Sequence, residues 1–259
     1  MITLKNKIAI VTGASRSTGI GTAICRSLAG LGADIFFTHW CTFDSNEGNG
    51  LDPGWPEVLK QELESLGVRA FHMEADLAKS ETPALLMDQV EQKLGSPSIL
   101  INNATYESPA NYKLLDGHAL DKHYAVNVRG TILLTTEFAK RFENNMPKGT
   151  AGRVIFMVSG GPDSNNLAYI ATKAAVIGII EPLSVGLAPL NITVNGFNPG
   201  PTDSGWMNEE MKQHFLGMFP MGRIGLPQDA ARGVTLLASD ESQWITGQLI
   251  KSEGGFLGK

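Results

Sequence analysis

Short apolar runs alternate with longer segments in which apolar positions recur at helical spacing. The runs cover residues 8–11, 34–38, 68–74, 99–101, 154–158, 193–197 and 249–250. They are rich in Ile, Val and Phe and too short for helices, so they predict strands buried on both faces. The segments between them, about 21–31, 56–66, 82–94, 120–144, 168–188 and 227–238, predict helices. Pro56, Pro83 and Pro227 suit a first helical turn, and Gly67 and Gly95 fall where helices would stop. No linker or repeat divides the pattern. The expectation is one α/β domain over residues 1–259, a doubly wound parallel sheet of about seven strands with helices on both faces.

Two stretches break the pattern. Residues 41–54, after the second strand, are rich in Gly, Asn and Asp. Residues 200–225, after the sixth, hold four Met and two Phe. Ligands of open α/β sheets bind beyond the carboxyl ends of strands, so 200–225 is read as a lid over an apolar substrate.

Composition narrows the function. The chain has 259 residues, 42 % apolar and 18 % charged, with a net charge of −5. No basic run is present, which argues against nucleic acid and anionic membranes as partners. No uninterrupted apolar run reaches the roughly eighteen residues of a membrane helix. Cys25 and Cys41 have no metal-like spacing, and no metal is expected. With no signal sequence, the reading is a cytoplasmic protein.

The chemistry starts at Thr12-Gly13-Ala14-Ser15-Arg16-Ser17-Thr18-Gly19-Ile20-Gly21, between the first strand and the first helix. Glycines there let the backbone approach a pyrophosphate, and a helix N-terminus offers N–H groups to its charge. Further on, Tyr169 and Lys173 lie four apart on a predicted helix and share a face. An ammonium beside a phenol lowers its pKa, making Tyr169 a general acid/base. Ser159 follows the fifth strand just upstream.

Together these residues resemble the short-chain dehydrogenase/reductase family, in order and over nearly the whole chain. The resemblance implies a Rossmann-like fold that binds a nicotinamide dinucleotide. Gly13, Ser15, Arg16, Thr18, Gly19 and Ile20 match its cofactor loop, and Thr38 and His39 fall at the ribose end. Asp76-Leu77 is similar to the pair that meets the adenine, and Asn102-Asn103-Ala104 to an N-N-A-G element. Pro199-Gly200, followed by Thr202, resembles the turn beside the nicotinamide. Asn127, Ser159, Tyr169 and Lys173 match the catalytic tetrad. Its implied roles are proton transfer by Tyr169, ribose binding and pKa lowering by Lys173, oxyanion binding by Ser159, and a water held by Asn127.

Three departures stand out. The glycine loop is two residues longer between Gly13 and Gly19, Thr105 replaces a glycine, and Ser159 lies ten residues before Tyr169 instead of about thirteen. Ser164 is the alternative serine. The pattern is most like 3-oxoacyl-[acyl-carrier-protein] reductases, implying a carbonyl or acyl-thioester substrate. A dehydrogenase of an unrelated ketone, steroid or sugar alcohol is the alternative, and a non-catalytic cofactor sensor is disfavoured by the intact tetrad. Enoyl reductases space tyrosine and lysine further apart. Residues 187–191 lack Lys and Arg, which leaves little for an acidic carrier to dock on. No acid stands at the end of the second strand, while Arg16 could meet a 2′-phosphate, so NADP(H) is expected over NAD(H). Asp44 or Glu47 folding back would oppose this. Small residues at Ala171, Ala174, Ala175, Gly178 and Gly186, together with the family habit, predict a homotetramer.

Overall fold

A computed structural model describes residues 2–46, 50 and 52–258. Seven strands form one parallel sheet in the order β3-β2-β1-β4-β5-β6-β7. They are β1 (Ile8–Val11), β2 (Asp34–His39), β3 (Ala70–Glu74), β4 (Ile99–Asn102), β5 (Gly152–Met157), β6 (Ile192–Asn198) and β7 (Leu249–Lys251). The helices are α1 (Ile20–Ala29), α2 (Cys41–Asn46), α3 (Trp55–Ser65), α4 (Thr82–Lys93), α5 (Gly117–His123), α6 (Thr131–Asn145), α7 (Leu167–Leu187), α8 (Glu209–Leu216) and α9 (Pro227–Ala238).

Strand alternation sorts the core into two layers. Ala9, Val11, Ile35, Phe37, Ile99 and Ile101 face one side, beneath α1, α3 and α9. Ile10, Phe36, Leu100, Val154 and Phe156 face the other, beneath α4, α6 and α7. Phe36, Phe37, Phe138, Phe156 and Phe197 are fully buried, and truncating one to Ala would cost about 3–5 kcal/mol. The strand order reverses between β1 and β4, which opens a crevice at their carboxyl ends.

Four expectations change. Residues 120–144 are not one regular helix: α5 and α6 flank a π-helical turn, Tyr124–Gly130, which apolar spacing does not reveal. Residues 41–54 are not all irregular, since α2 forms where Trp40 and Phe43 stack at 5.4 Å. The stretch 200–225 contains α8, and its ends are joined where Asp203 N–H donates to the Gly225 carbonyl at 2.9 Å. Finally, one helical stretch, Leu167–Leu190, is long and apolar enough to cross a membrane. Its apolarity comes from interspersed Ala, Gly and Ile, so no unbroken run announced it. Val176 and Ile180 on this helix pack into the second core layer, as a core helix would.

Candidate active site

β1 leads into Thr12, whose hydroxyl accepts N–H bonds from Asn103 and Ala104, both at 3.0 Å. Asn103 returns two bonds, its Nδ2 donating to the carbonyls of Thr12 and Gly13 at 2.9 Å. The two strand ends are thus stitched together. Gly13 then turns with φ +75°, and a Cβ there would lie 2.7 Å from the Ala104 Cα. At Gly21 a Cβ would sit 2.4 Å from the Gly13 carbonyl oxygen. Only glycine fits either position, so the backbone curls tightly into α1. Gly19 caps α1 without a side-chain bond, leaving its first N–H groups for an anion.

This loop forms one end of a cleft of about 1010 Å³ that runs along the carboxyl edge of the sheet. Gly13, Ser15, Arg16, Gly19, Ile20, Thr38, His39, Leu77, Asn103, Ala104, Pro199, Gly200 and Thr202 all line it. At the other end stand Ser159, Tyr169 and Lys173. The glycine cradle, the uncapped helix start and the length of the cleft fit a dinucleotide, with the phosphates at α1 and the reactive ring beside Tyr169.

Several side chains serve other ends than expected. His39 is buried and neutral: burial and the neighbouring His72 hold its pKa down to about 4. Its Nε2 meets His72 Nδ1 at 3.1 Å and its Nδ1 meets Cys41 Sγ at 3.3 Å. Both ring nitrogens are engaged, so His39 offers no charge to a phosphate. Thr38 Oγ1 accepts the Gly13 N–H at 3.2 Å, steadying the glycine loop. Asp76 does not line the cleft; its carboxylate accepts the Ala78 N–H at 2.9 Å, closing a turn. Thr18 and Arg16 both donate to the Ser204 carbonyl, at 3.1 and 3.3 Å. Ser17 N–H donates to Asp52 at 2.7 Å. The two added loop residues therefore hold neighbouring segments.

α2, absent from the sequence reading, brings Asp44 into the cleft. Its carboxyl is buried, which raises its pKa, while Ser15 and Arg16 pull the other way. Its Oδ2 has no partner among the described residues. Glu47 lies outside the described residues. Trp40 and Phe43 wall the same end.

The substrate end rests on the π-helical turn. Asn127 Oδ1 accepts from Tyr106 N–H at 2.7 Å and Thr105 Oγ1 at 3.2 Å. Its Nδ2 donates to the Tyr106 carbonyl at 2.9 Å and Thr172 Oγ1 at 3.0 Å. The hydrogen-bonding capacity of the side-chain amide is thus met by protein groups. The side chain ties the loop after β4 to α7, and Thr105 turns its hydroxyl to that tie. Lys173 is buried, its Nζ donating to the Met157 carbonyl at 2.9 Å and lying 5.4 Å from the Tyr169 ring centre. Burial pulls its pKa down to about 8.

The Tyr169 pKa is raised, not lowered as expected. Burial is the main cause and the charge of Glu107 adds to it, against a hydrogen bond with Ser159. A tyrosine in this state holds its proton, which suits an acid. Ser159 lines the cleft together with Tyr169 despite the short loop, and Ser164 does not line it. Glu107 and Asn166 also line this end, and neither was singled out from the sequence.

A family model described as enoyl-(acyl carrier protein) reductase matches residues 13–257. The chain belongs to the short-chain dehydrogenase/reductase family. It is an oxidoreductase that acts on the CH–OH/C=O pair with NAD(P). The uncharacterized oxidoreductase YjdA of Bacillus subtilis (strain 168) is 50 % identical over 256 residues, 98 % of both chains. The 3-oxoacyl-[acyl-carrier-protein] reductase FabG of Staphylococcus epidermidis (strain ATCC 35984) is 31 % identical over 258 residues, covering 96 % of this chain and 98 % of that one. A solved 7α-hydroxysteroid dehydrogenase, complexed with NADH and 7-oxo glycochenodeoxycholic acid, superposes with a TM-score of 0.86 at 27 % identity, covering 99 % of this chain and 96 % of the other.

Proposed function

We propose that this dehydrogenase/reductase reduces a 3-oxoacyl thioester or a compact 3-oxo compound of similar shape, with NADP(H) preferred. The reading rests on one observation: Ser159, Tyr169 and Lys173 converge at one end of the cleft whose other end is the glycine loop. The bound nicotinamide supplies the hydride. Tyr169 gives its hydroxyl proton to the carbonyl oxygen. Ser159 hydrogen-bonds that oxygen and stabilises its growing charge. Lys173 holds the ribose and Tyr169 in register, and Asn127 acts as a positioning residue. Similarity to the staphylococcal reductase supports the thioester class. Residues 200–225 act as the lid, with Trp206 and Phe215 lining the cleft beneath it. The unpaired Cys25 and Cys41 accord with a cytoplasmic setting.

The test is oxidation of NADPH with a panel of 3-oxoacyl thioesters, small ketones, steroids and sugars, for wild type and Tyr169→Phe. The thioesters are expected to lead. The Phe variant is expected to lose at least about a hundredfold in kcat while binding NADPH as before. Turnover in the variant within about tenfold of wild type would remove Tyr169 from its role.

A further inference from the structure

We propose that Glu107 selects among the 3-oxo substrates of this site: neutral ones are admitted, those with a hydrogen-bond donor or positive charge near the carbonyl are favoured, and anionic oxo acids are excluded. This rests on the reductase reading above. The loop after β4 starts at the glycine loop, through Asn103 and Ala104, and crosses to the start of α7. There Ala110 pairs with Asn166, and Leu167 N–H donates to the Ala110 carbonyl at 3.2 Å. Glu107 is thereby held against Asn166, whose Nδ2 donates to Glu107 Oε1. Asn166 is three residues before Tyr169, and only 4 % of it is exposed.

The amide orientation follows from this contact, because the opposite one would set an oxygen against the carboxylate. Asn166 Oδ1 is then left buried with no partner among the described residues. Glu107 itself is exposed toward the cleft and lines it. Its charge reaches both Tyr169, the proton donor to the carbonyl, and Lys173 beside it. A carboxylate can only accept. A substrate N–H, O–H or ammonium therefore finds a partner here, whereas a carboxylate meets repulsion. Asp163 and Glu253 also line the cleft, with Lys173 and Lys251 as counter-charges.

Acetoacetamide and acetoacetate have nearly the same size and shape, but one presents N–H donors and the other a charge. Ethyl acetoacetate is neutral without a donor. The experiment measures kcat/KM for these three and their longer 3-oxo homologues, in wild type and in Glu107→Gln, with melting temperatures as a check on folding. Wild type is expected to favour the amide over the acid by at least about tenfold, with the ester between. Glu107→Gln, which keeps an oxygen for Asn166, is expected to narrow that ratio to about threefold, mostly by gain on the acid. An unchanged ratio in the variant, or a wild type that prefers the acid, overturns the assignment while leaving the reductase intact. Absence of cofactor oxidation with every member overturns the assignment, and overturns the reductase reading as well where the thioesters also fail.

Discussion

The buried lysine of the cleft is held at an energetic cost. Lys173 is 6 % exposed, and burial takes its pKa from 10.5 to about 8. A base with a lowered folded pKa weakens the fold fully below that pKa, where both states carry the proton. The penalty fades between pH 8 and 10.5 and is gone above the unfolded value. The shift corresponds to roughly 3 kcal/mol, of which leaving the Met157 carbonyl unpaired in a variant would take back about 1. Lys173→Met should therefore melt about 5 °C above wild type at pH 7 while losing activity. Thermal scans from pH 7 to 10.5 should show the gap closing; a gap independent of pH would refute the burial account. At this scale the sequence named Tyr169, Lys173 and Ser159 because their spacing and their position after β5 are local. It could not show Asn127 saturated by Tyr106 and Thr172, His39 occupied by His72, or Glu107 clamped by Asn166. Each of these pairs is distant in sequence and meets only through the sheet order.

The elements that matter most are the glycine loop and α2, since together they frame the ribose end of the cleft. Strand and helix periodicity placed all seven strands to within a residue or two, because strands buried on both faces read as unbroken apolar runs. The same periodicity missed α2, a helix of six residues, and the π-helical turn within the longest predicted helix. Missing α2 has a consequence for the cofactor. β2 ends in Thr38 and His39 with no acid, and Arg16 lines the cleft, which favours a 2′-phosphate. α2, however, returns Asp44 to the same end, beside Ser15 and Arg16. Arg16 attracts the phosphate and Asp44 opposes it. We expect kcat/KM for NADPH to exceed that for NADH by about tenfold in wild type. Arg16→Ala should lose most of that preference, and Asp44→Asn should widen it, chiefly by gain on NADPH. Equal use of both cofactors by wild type would sink the NADP(H) preference. A preference that Asp44→Asn leaves untouched would remove Asp44 from cofactor selection.

For the molecule as a whole, the outer side of α7 is the largest unexplained feature. Within Leu167–Leu190 an 18-residue window has a mean hydropathy of 1.6, yet only 28 % of that window is buried. Its inner face carries Tyr169, Lys173 and Val176 toward cleft and core. Its outer face exposes Ala171, Ala174, Gly178, Pro182 and Val185, small or apolar residues at helical spacing. A shallow groove of about 410 Å³ separates it from α6, lined by Thr135, Ala139, Leu183 and Gly186 among others. So much apolar surface on one helix is costly in water, and small side chains let a second helix approach closely. A two-fold pairing of α6 and α7 would cover it, and a second two-fold interface would complete a tetramer. The expected mass by light scattering at micromolar concentration is four times the 27.8 kDa chain. Val185 is 71 % exposed in the single chain, so Val185→Asp should leave an isolated chain almost unaffected. Across a packed two-fold axis the same change buries two unpaired carboxylates, at a cost of several kcal/mol. The variant should therefore dissociate to smaller species and melt lower than wild type. A wild type that scatters as a monomer would refute the assembly. A variant with unchanged mass would move the interface away from Val185.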